Sequence, residues 1–313
     1  MQVHHDPENE FFFTKSVLTI GTFDGVHHGH KKIIQSLKEE AQKIGGESVV
    51  VTFHPHPRKI VNAATSLQLI NTLDEKISLL SALGINHLVI VPFTETFSQQ
   101  SAEDYIKNFL VRRFHPHTII IGYDHHFGKD RSGNFSLLQH HADQYNYNLI
   151  EIPKHLLNEI AVSSTKIRTA ILQSDVDTAN QLLGYPFFFS GLVVQGDKIG
   201  RSIGYPTANL QYTNSDKIHL GHGVYAATAL VLGRVVKGML SIGNRPTLEN
   251  SDEKIEINLF DFDADIYGQE IKITVYNYLR AQEKYANMDI LKSQLVQDKK
   301  DTLERLDFSA PLS

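Results

Sequence analysis

The chain has 313 residues, a length typical of about two domains, and its 41% hydrophobic and 21% charged residues are ordinary values for a globular protein. The net charge of -5 provides no general attraction for a nucleic acid, and the absence of cysteine excludes disulfides, thiolate nucleophiles and cysteine-based zinc sites. The sequence starts without a signal-peptide pattern and contains no apolar run of about 18 residues. We therefore expect a cytoplasmic protein with no nucleic-acid partner and no membrane partner.

The first part of the chain alternates short β-branched runs with amphipathic segments. We predict strands at residues 17–20, 48–53, 87–92, 118–121 and 148–152. Helical spacing of apolar residues predicts crossover helices around residues 33–44, 77–83 and 105–110, followed by helices at 164–173 and 176–183. This alternation predicts an α/β fold with a doubly wound, mostly parallel sheet, whose ligand crevice lies at the carboxyl ends of the strands.

The pattern changes after Gly184-Tyr185-Pro186. Strand-like runs follow at residues 191–194, 223–232, 235–242, 254–262 and 271–278, separated by turns rather than helices. They predict an antiparallel barrel or sandwich, closed by one amphipathic helix at 288–306. We predict two domains, residues 1–186 and 187–313.

Histidine is unusually frequent, with 17 residues that often occur in pairs, so a histidine metal site and bland exposed histidines are both open hypotheses. The sharpest motif, GTFDGVHHGH at residues 21–30, leaves the first strand and enters the first helix. Its glycines allow a ligand to approach the backbone closely, and His27 and His30 flank a helix N-terminus, where the free amides favour the binding of a phosphate group. A bound metal and a purely structural turn are the alternatives.

A second motif, VSSTKIR at residues 162–168, has hydroxyl groups at a helix N-terminus followed by Lys166 and Arg168. This is again a phosphate-binding pattern, although Ser-Ser-Thr alone would be an ordinary helix cap. A third segment, VTFHPHP, occupies residues 51–57 at the end of a predicted strand.

These motifs resemble the GxFDGxHxGH, SSTxIR and TFxPHP segments of the nucleotidyltransferase superfamily, and specifically the FMN adenylyltransferase domain of bacterial bifunctional riboflavin kinase/FAD synthetases. The resemblance implies a Rossmann-like N-terminal domain in which His27 and His30 are catalytic. It implies ATP binding by a set of loop and helix-start residues: Gly21, Phe23, Asp24, Gly29, Ser163, Ser164, Thr165 and Arg168.

The segment GYDHHFG at residues 122–128 is similar to the family's GxDFxFG loop, which borders the flavin. His125 replaces the usual phenylalanine, so a polar ring stands in place of an apolar one. The resemblance implies flavin contacts from His56, Asp124, His125 and Phe127.

The C-terminal part contains GLVVQGDKIGRSIGYPTANL at residues 191–210. Its glycines beside Lys198 and Arg201 allow backbone amides and positive charge to reach a phosphate, while Thr207 and Asn209 offer oxygen ligands that suit Mg2+. An ordinary glycine-rich turn is the alternative. The segment looks like the GRxLGxPTANL motif of riboflavin kinase, which implies ATP binding by Gly196, Lys198, Gly200, Arg201, Pro206 and Thr207.

Other kinase-like segments follow in family order, including IGNRPT at residues 242–247. The resemblance implies an antiparallel β-barrel riboflavin kinase domain with a C-terminal helix and places the catalytic base on Glu256. The segment LRAQEKY at residues 279–285 is similar to the family's LRxExKF and implies flavin contacts from Arg280 and Tyr285. Three substitutions depart from the family pattern: Ser241 for asparagine, Asn258 for histidine and Tyr285 for phenylalanine.

We therefore expect a bifunctional enzyme with Mg2+ as its cofactor. It converts riboflavin and ATP to FMN in the C-terminal domain, and FMN and ATP to FAD and pyrophosphate in the N-terminal domain. One alternative is a riboflavin kinase whose N-terminal domain only binds flavin or nucleotide, and another is a non-catalytic, flavin-responsive regulator that acts on RNA. A weak homo-oligomer is the alternative to a monomer.

Overall fold

The computed structural model describes residues 1–5, 10–62, 67–153, 162–196, 200, 203–244 and 253–307. The chain separates into two compact units, Met1–Ser164 and Thr165–Ser313.

The described residues of the first unit form a six-stranded parallel sheet in the order β1-β4-β3-β2-β5-β6. The strands are β1 (Gln2–His4), β2 (Val17–Ile20), β3 (Ser48–His54), β4 (His87–Pro92), β5 (Thr118–Gly122) and β6 (Asn148–Ile152). From β2 the chain adds β3 and β4 on one side and then returns to place β5 on the other. The switch point therefore lies between β2 and β5, where a crevice opens at the carboxyl ends of the strands.

Helices cover both faces of this sheet. They are α1 (His28–Ile44), α2 (Pro57–Val61), α3 (Leu73–Ala82), α4 (Glu95–Ser98), α5 (Ala102–Asp104, continuing as a π-helix at Tyr105–Val111 and ending at Arg112–Phe114) and α6 (Phe135–Tyr145). Alternate strand residues belong to different cores: Leu18 packs with Phe109 on one face, and Val17 packs with Leu37 on the other. Burial on both faces explains the continuous apolar strands.

In the second unit, the described residues form a closed antiparallel barrel in the order β10-β11-β8-β7-β12-β9. Its strands are β7 (Phe187–Val194), β8 (Ala208–Tyr212), β9 (Gly223–Val231), β10 (Arg234–Asn244), β11 (Glu253–Leu259) and β12 (Glu270–Arg280). Helices α7 (Ser164–Leu172) and α8 (Val176–Leu183) precede the barrel, and α9 (Met288–Asp307) packs on β9, β10 and β12.

The sequence-based fold prediction is confirmed as a parallel-sheet unit followed by a closed barrel with a terminal helix. It lacked strands β1 and β8 and helices α2, α4 and α6, and it placed the helix around 105–110 without its π-helical geometry. The second unit begins before α8, because the Asn180 side chain of α8 donates to the carbonyls of Val275 and Tyr276 in the barrel (3.0 and 2.9 Å) and accepts from the Phe187 amide. The ranges 1–186 and 187–313 stay a prediction for the catalytic domains.

Among the residues that the structure describes, no helix is long and apolar enough to span a membrane.

Candidate active sites

The β2–α1 loop, residues 21–27, lies at the switch point of the parallel sheet. Phe23 and Val26 have positive φ angles of 47° and 36°, which are uncommon for side chains of this size. Such backbone conformations persist where the surroundings fix them, and they cluster at functional sites. A Cβ on Gly29 would lie 3.2 Å from the His27 ring, so a small residue is favoured at this first turn of α1.

His27 and His30 lie at the N-terminus of α1 with their rings stacked, 3.7 Å between centroids and 14° between planes. His27 is the N-cap residue, because its Nδ1 accepts a hydrogen bond from the His30 backbone N–H at 3.4 Å. An accepting Nδ1 assigns the proton of neutral His27 to Nε2. The pair therefore lies beside the free amides and positive dipole end of a helix, which attract anions.

Both histidines are neutral at pH 7. Burial lowers the pKa of His27 to about 4, although Asp24 partly opposes this shift. Burial also holds the pKa of His30 well below its usual value, and the nearby His27 and Lys76 lower it further. Each ring can therefore donate an N–H hydrogen bond to a ligand, but neither carries a full positive charge.

Asp24 stabilises the loop from its buried position. Its carboxylate accepts the backbone N–H groups of Ile70 (3.0 Å) and Asn71 (3.2 Å), while its own carbonyl accepts the Ser164 hydroxyl at 2.9 Å. Two motifs that lie 140 residues apart in sequence thus meet at the β2–α1 loop. Thr165 and Arg168 follow Ser164 in α7, and Ser163 immediately precedes it.

The remaining predicted residues of the first unit follow β3 and β5, the two strands that flank β2. His56 caps α2 by accepting the Arg58 N–H at 3.1 Å. His125 is half-buried 5.8 Å from the Phe127 ring, and Asp124 is exposed. Burial lowers the His125 pKa to about 4, opposed in part by Asp124, so this ring is neutral as well.

In the barrel, strand register brings several predicted residues to one level. Glu256 on β11 lies opposite Asn209 on β8 and opposite Ser241 on β10. Ser241 lies opposite Val224 on β9, which in turn pairs with Arg280 on β12. We call this set of residues the Glu256 row. The half-buried carboxylate of Glu256 lies 3.6 Å from the Lys254 ammonium.

Two glycines that precede the PTANL segment pack closely against residues 205–209. A Cβ on Gly196 would lie 1.9 Å from the Asn209 amide nitrogen, and a Cβ on Gly200 would lie 2.2 Å from the Tyr205 carbonyl oxygen and 3.5 Å from the Thr207 hydroxyl. Asn258 donates to the carbonyl of Pro206 at 2.6 Å. Lys198 and Arg201 lie outside the described residues.

Arg280 at the end of β12 is held by α9. Its guanidinium makes two hydrogen bonds to Asp298, at 2.8 and 2.6 Å, and lies 5.8 Å from the centre of the Tyr285 ring. Burial alone would lower the Arg280 pKa, but hydrogen bonding and the charge of Asp298 raise it above the usual value. The two predicted flavin contacts therefore lie side by side.

Comparison with known proteins matches both units. Residues 11–166 match the FAD synthetase family model, and residues 183–306 match the riboflavin kinase model. A bifunctional riboflavin kinase/FMN adenylyltransferase of Bacillus subtilis is 38% identical over 294 residues, spanning 92% of each chain. The enzyme of the same name from Escherichia coli K12 is 33% identical and spans 94% of each.

The chain belongs to the bifunctional riboflavin kinase/FMN adenylyltransferase family. It uses ATP to phosphorylate riboflavin and to adenylylate FMN, and the alternative of a kinase with a silent N-terminal domain is not favoured because both families match. A crystal structure from Streptococcus pneumoniae, named a macrolide-efflux protein, has a TM-score of 0.86 at 28% identity and covers 96% of this chain and 98% of its own. This likeness indicates a shared fold.

The donor set of this family member fits Mg2+ in the barrel. Thr207 and Asn209 supply neutral oxygen atoms, and the Glu256 carboxylate is the strand neighbour of Asn209. Mg2+ is held by few protein ligands and by substrate phosphates, so a site with so few oxygen donors is suitable. Within the described ranges no group of three or more histidine, cysteine, aspartate or glutamate residues could hold a metal, which gives the histidine-metal hypothesis no support.

Two features of this enzyme escaped the sequence analysis. Buried Lys76 donates to the Thr22 carbonyl in the β2–α1 loop, and Gln282 donates to the Ser241 hydroxyl beside Glu256. A signal for Lys76 was present, because it precedes buried Leu80 by one helical turn and so lies on the apolar face of α3. For Gln282 the sequence offered only its place within the LRAQEKY motif.

Proposed function

We propose that the β2–α1 loop and Ser164 form the ATP site for FMN adenylylation. The observation that carries this proposal is the hydrogen bond between the Ser164 hydroxyl and the Asp24 carbonyl, 2.9 Å long. It joins two phosphate-type motifs beside the N-terminus of α1, a place suited to an anion. In this assignment Asp24 shapes the loop through its bonds to residues 70 and 71, while Gly21, Phe23 and Gly29 let the backbone approach the nucleotide.

The proposed chemistry needs no general base. A phosphate oxygen of FMN forms the new bond to the α-phosphorus of ATP while the bond to the bridging oxygen breaks, and pyrophosphate leaves with that electron pair. The phosphate monoester is already largely ionised at neutral pH, since its second pKa is about 6. Neutral His27 and His30 donate hydrogen bonds to the charge that develops, and Ser163, Ser164, Thr165 and Arg168 bind the phosphates.

We propose that FMN binds beside this site against His56, Asp124, His125 and Phe127. The loops after β3 and β5 flank the β2–α1 loop at the carboxyl edge of the sheet, which supports this position. Because half-buried His125 is neutral, it contacts the flavin as an uncharged polar ring.

In the barrel, we propose that Glu256 accepts the proton of the riboflavin 5'-hydroxyl as its oxygen attacks the γ-phosphorus of ATP and ADP leaves. An alcohol needs a base where an ionised phosphate does not. Gly196, Gly200, Lys198, Arg201, Pro206 and Thr207 would bind ATP, and Arg280 and Tyr285 the flavin. Thr207 and Asn209 would hold Mg2+, which neutralises phosphate charge when bound.

The proposed division of labour is tested by a chromatographic time course with riboflavin, ATP and Mg2+, following FMN and FAD separately. His30→Ala should stop FAD formation and leave FMN formation unchanged, whereas Glu256→Gln should slow FMN formation by roughly 100-fold or more and leave adenylylation of supplied FMN intact. The matched controls are His28→Ala, which changes the intervening position of the same motif, and Glu270→Gln, which changes an exposed glutamate of β12. Wild-type FAD formation by His30→Ala would refute the first assignment, and wild-type FMN formation by Glu256→Gln the second.

We further propose that the enzyme works in the cytoplasm, where ATP is available, and that FMN passes between the sites by diffusion or through subunit contacts. The net charge of -5 supports the absence of a nucleic-acid partner. Neither a nucleic acid nor a membrane has a role in this scheme, and a weak homo-oligomer stays the alternative to a monomer.

A further inference from the structure

Lys76 is a buried cation that neither proposed reaction uses. It lies on α3 with 6% of its surface exposed, and lysine is almost never buried unless it is paired. Burial lowers its pKa to about 8, a shift that Asp24 opposes, so the ammonium form still predominates at pH 7. A charge kept in this position despite the cost of desolvation calls for a specific role.

The Lys76 ammonium forms a small network beneath the β2–α1 loop. Its Nζ donates to the Thr22 carbonyl at 2.7 Å and to the Thr52 hydroxyl at 3.4 Å. The Thr52 hydroxyl in turn donates to the same Thr22 carbonyl at 3.2 Å. The loop backbone just before Phe23, whose φ angle is positive, is therefore held by one group from α3 and one from β3.

The charged and titratable groups around Lys76 belong to the proposed ATP site. Asp24 of the loop attracts the ammonium, and the ammonium disfavours a proton on His30 of α1. His30 also faces His27, whose own pKa is lowered by burial, raised in part by Asp24 and lowered further by His28 and Lys31. Nδ1 of His30 is buried without a hydrogen-bond partner in the described part of the chain, so this nitrogen is left for a ligand.

We propose that Lys76 is a positioning residue for FMN adenylylation, which fixes the Thr22 carbonyl and so the β2–α1 loop, and whose positive charge acts on His30 where this ring meets the triphosphate. This inference rests on the proposed ATP site. The same charge attracts the triphosphate through the loop, because electrostatic attraction in a buried setting is weakly screened.

The test compares Lys76→Met, Lys76→Gln and Lys76→Arg in the full-length enzyme. Lys76→Met keeps the side chain's length and removes its charge, and Lys76→Arg keeps the charge. We expect Lys76→Met and Lys76→Gln to lower kcat/KM for ATP in FMN adenylylation by at least 10-fold, and Lys76→Arg to recover part of this loss. Riboflavin phosphorylation by the same preparations should stay at the wild-type rate. Because this activity belongs to the other unit, folding of the first unit is checked separately by its own cooperative urea unfolding transition in each variant.

A spectroscopic readout separates positioning from mere packing. NMR titration of the histidine rings should show the His30 pKa rising in Lys76→Met and Lys76→Gln but not in Lys76→Arg, whereas the His27 pKa should stay unchanged. Wild-type adenylylation by Lys76→Met would overturn the inference, as would a loss of activity with an unmoved His30 titration. Failure of the proposed ATP site itself is recognised separately, because His30→Ala would then retain adenylylation.

Discussion

Replacing Asp298 with asparagine removes the anion of an ion pair that connects α9 to the barrel. The Asp298 side chain is 2% exposed and the Arg280 side chain 21% exposed, and two charge-assisted hydrogen bonds of 2.8 and 2.6 Å join them. Gln294 donates a third hydrogen bond to the same carboxylate at 2.9 Å. Asparagine keeps the shape of the side chain, so the change isolates the loss of charge.

The expected cost follows from this geometry. Breaking a fully buried pair costs about 3–5 kcal/mol, because the remaining charge is left without its partner. Arg280 retains some contact with water, and asparagine can still accept one of its N–H groups, which lowers our expectation to about 2–3 kcal/mol. For a unit of this size, such a loss corresponds to a decrease in melting temperature of roughly 4–12 °C.

Differential scanning calorimetry of the full-length protein measures this effect in the transition of the second unit. The control is Glu304→Gln on the same helix, because its 3.9 Å contact with Lys300 is exposed and surface pairs contribute little. Riboflavin phosphorylation should weaken through a higher KM for riboflavin, since Arg280 loses the group that orients it. A decrease of less than 1 °C would refute the reasoning that α9 is held to the barrel by this pair.

Two further predictions concern the separate units. Gly196→Ala should lower riboflavin phosphorylation at least 10-fold and leave FMN adenylylation unchanged, because the new Cβ would lie 1.9 Å from the Asn209 amide nitrogen. Equal kinase rates of the variant and the wild type in steady-state assays would contradict this close packing. Lowering the pH from 6.5 to 4 should destabilise the first unit, because the His27 pKa is about 4 in the folded state against an ordinary 6.5, so the unfolded chain binds the proton first. His27 contributes roughly 3 kcal/mol to this loss in the free energy of unfolding, so the urea midpoint should decrease less in His27→Gln than in the wild type. An equal decrease in the two proteins would contradict this assignment.

The sequence predicts most of the parallel sheet because its strands are buried on both faces. Continuous β-branched runs such as residues 17–20 and 87–92 become strands with those bounds. Strand β1 could not be recognised, since Gln2–His4 contains a single strongly apolar residue and depends on pairing with β4 for its conformation. Strand β8 was hidden because Ala208–Tyr212 overlaps a glycine- and proline-rich segment that indicates a turn.

The candidate sites, like the strands, contain some features that the sequence shows and others that only the fold shows. Motifs with local physical meaning, such as two histidines and glycines at a helix N-terminus, can be interpreted directly from sequence. The meeting of Ser164 with Asp24 depends on tertiary structure, as does the alignment of Asn209, Glu256 and Arg280 on different strands. Lys76 is an intermediate case, because its spacing from Leu80 indicates the apolar face of α3, but only the fold shows that its ammonium lies beneath the β2–α1 loop.

The two units answer opposite electrostatic requirements. In FMN adenylylation the nucleophile is already an anion, so the first unit needs hydrogen-bond donors and positive potential. We propose that neutral His27 and His30, the N-terminus of α1 and buried Lys76 provide them. In riboflavin phosphorylation the nucleophile is a neutral alcohol, so the barrel needs a proton acceptor, and its Glu256 carboxylate is half-buried beside Lys254. In the proposed assignment each unit therefore matches the charge of its own nucleophile: donors and positive potential act on an anion, and a carboxylate accepts the proton of an alcohol.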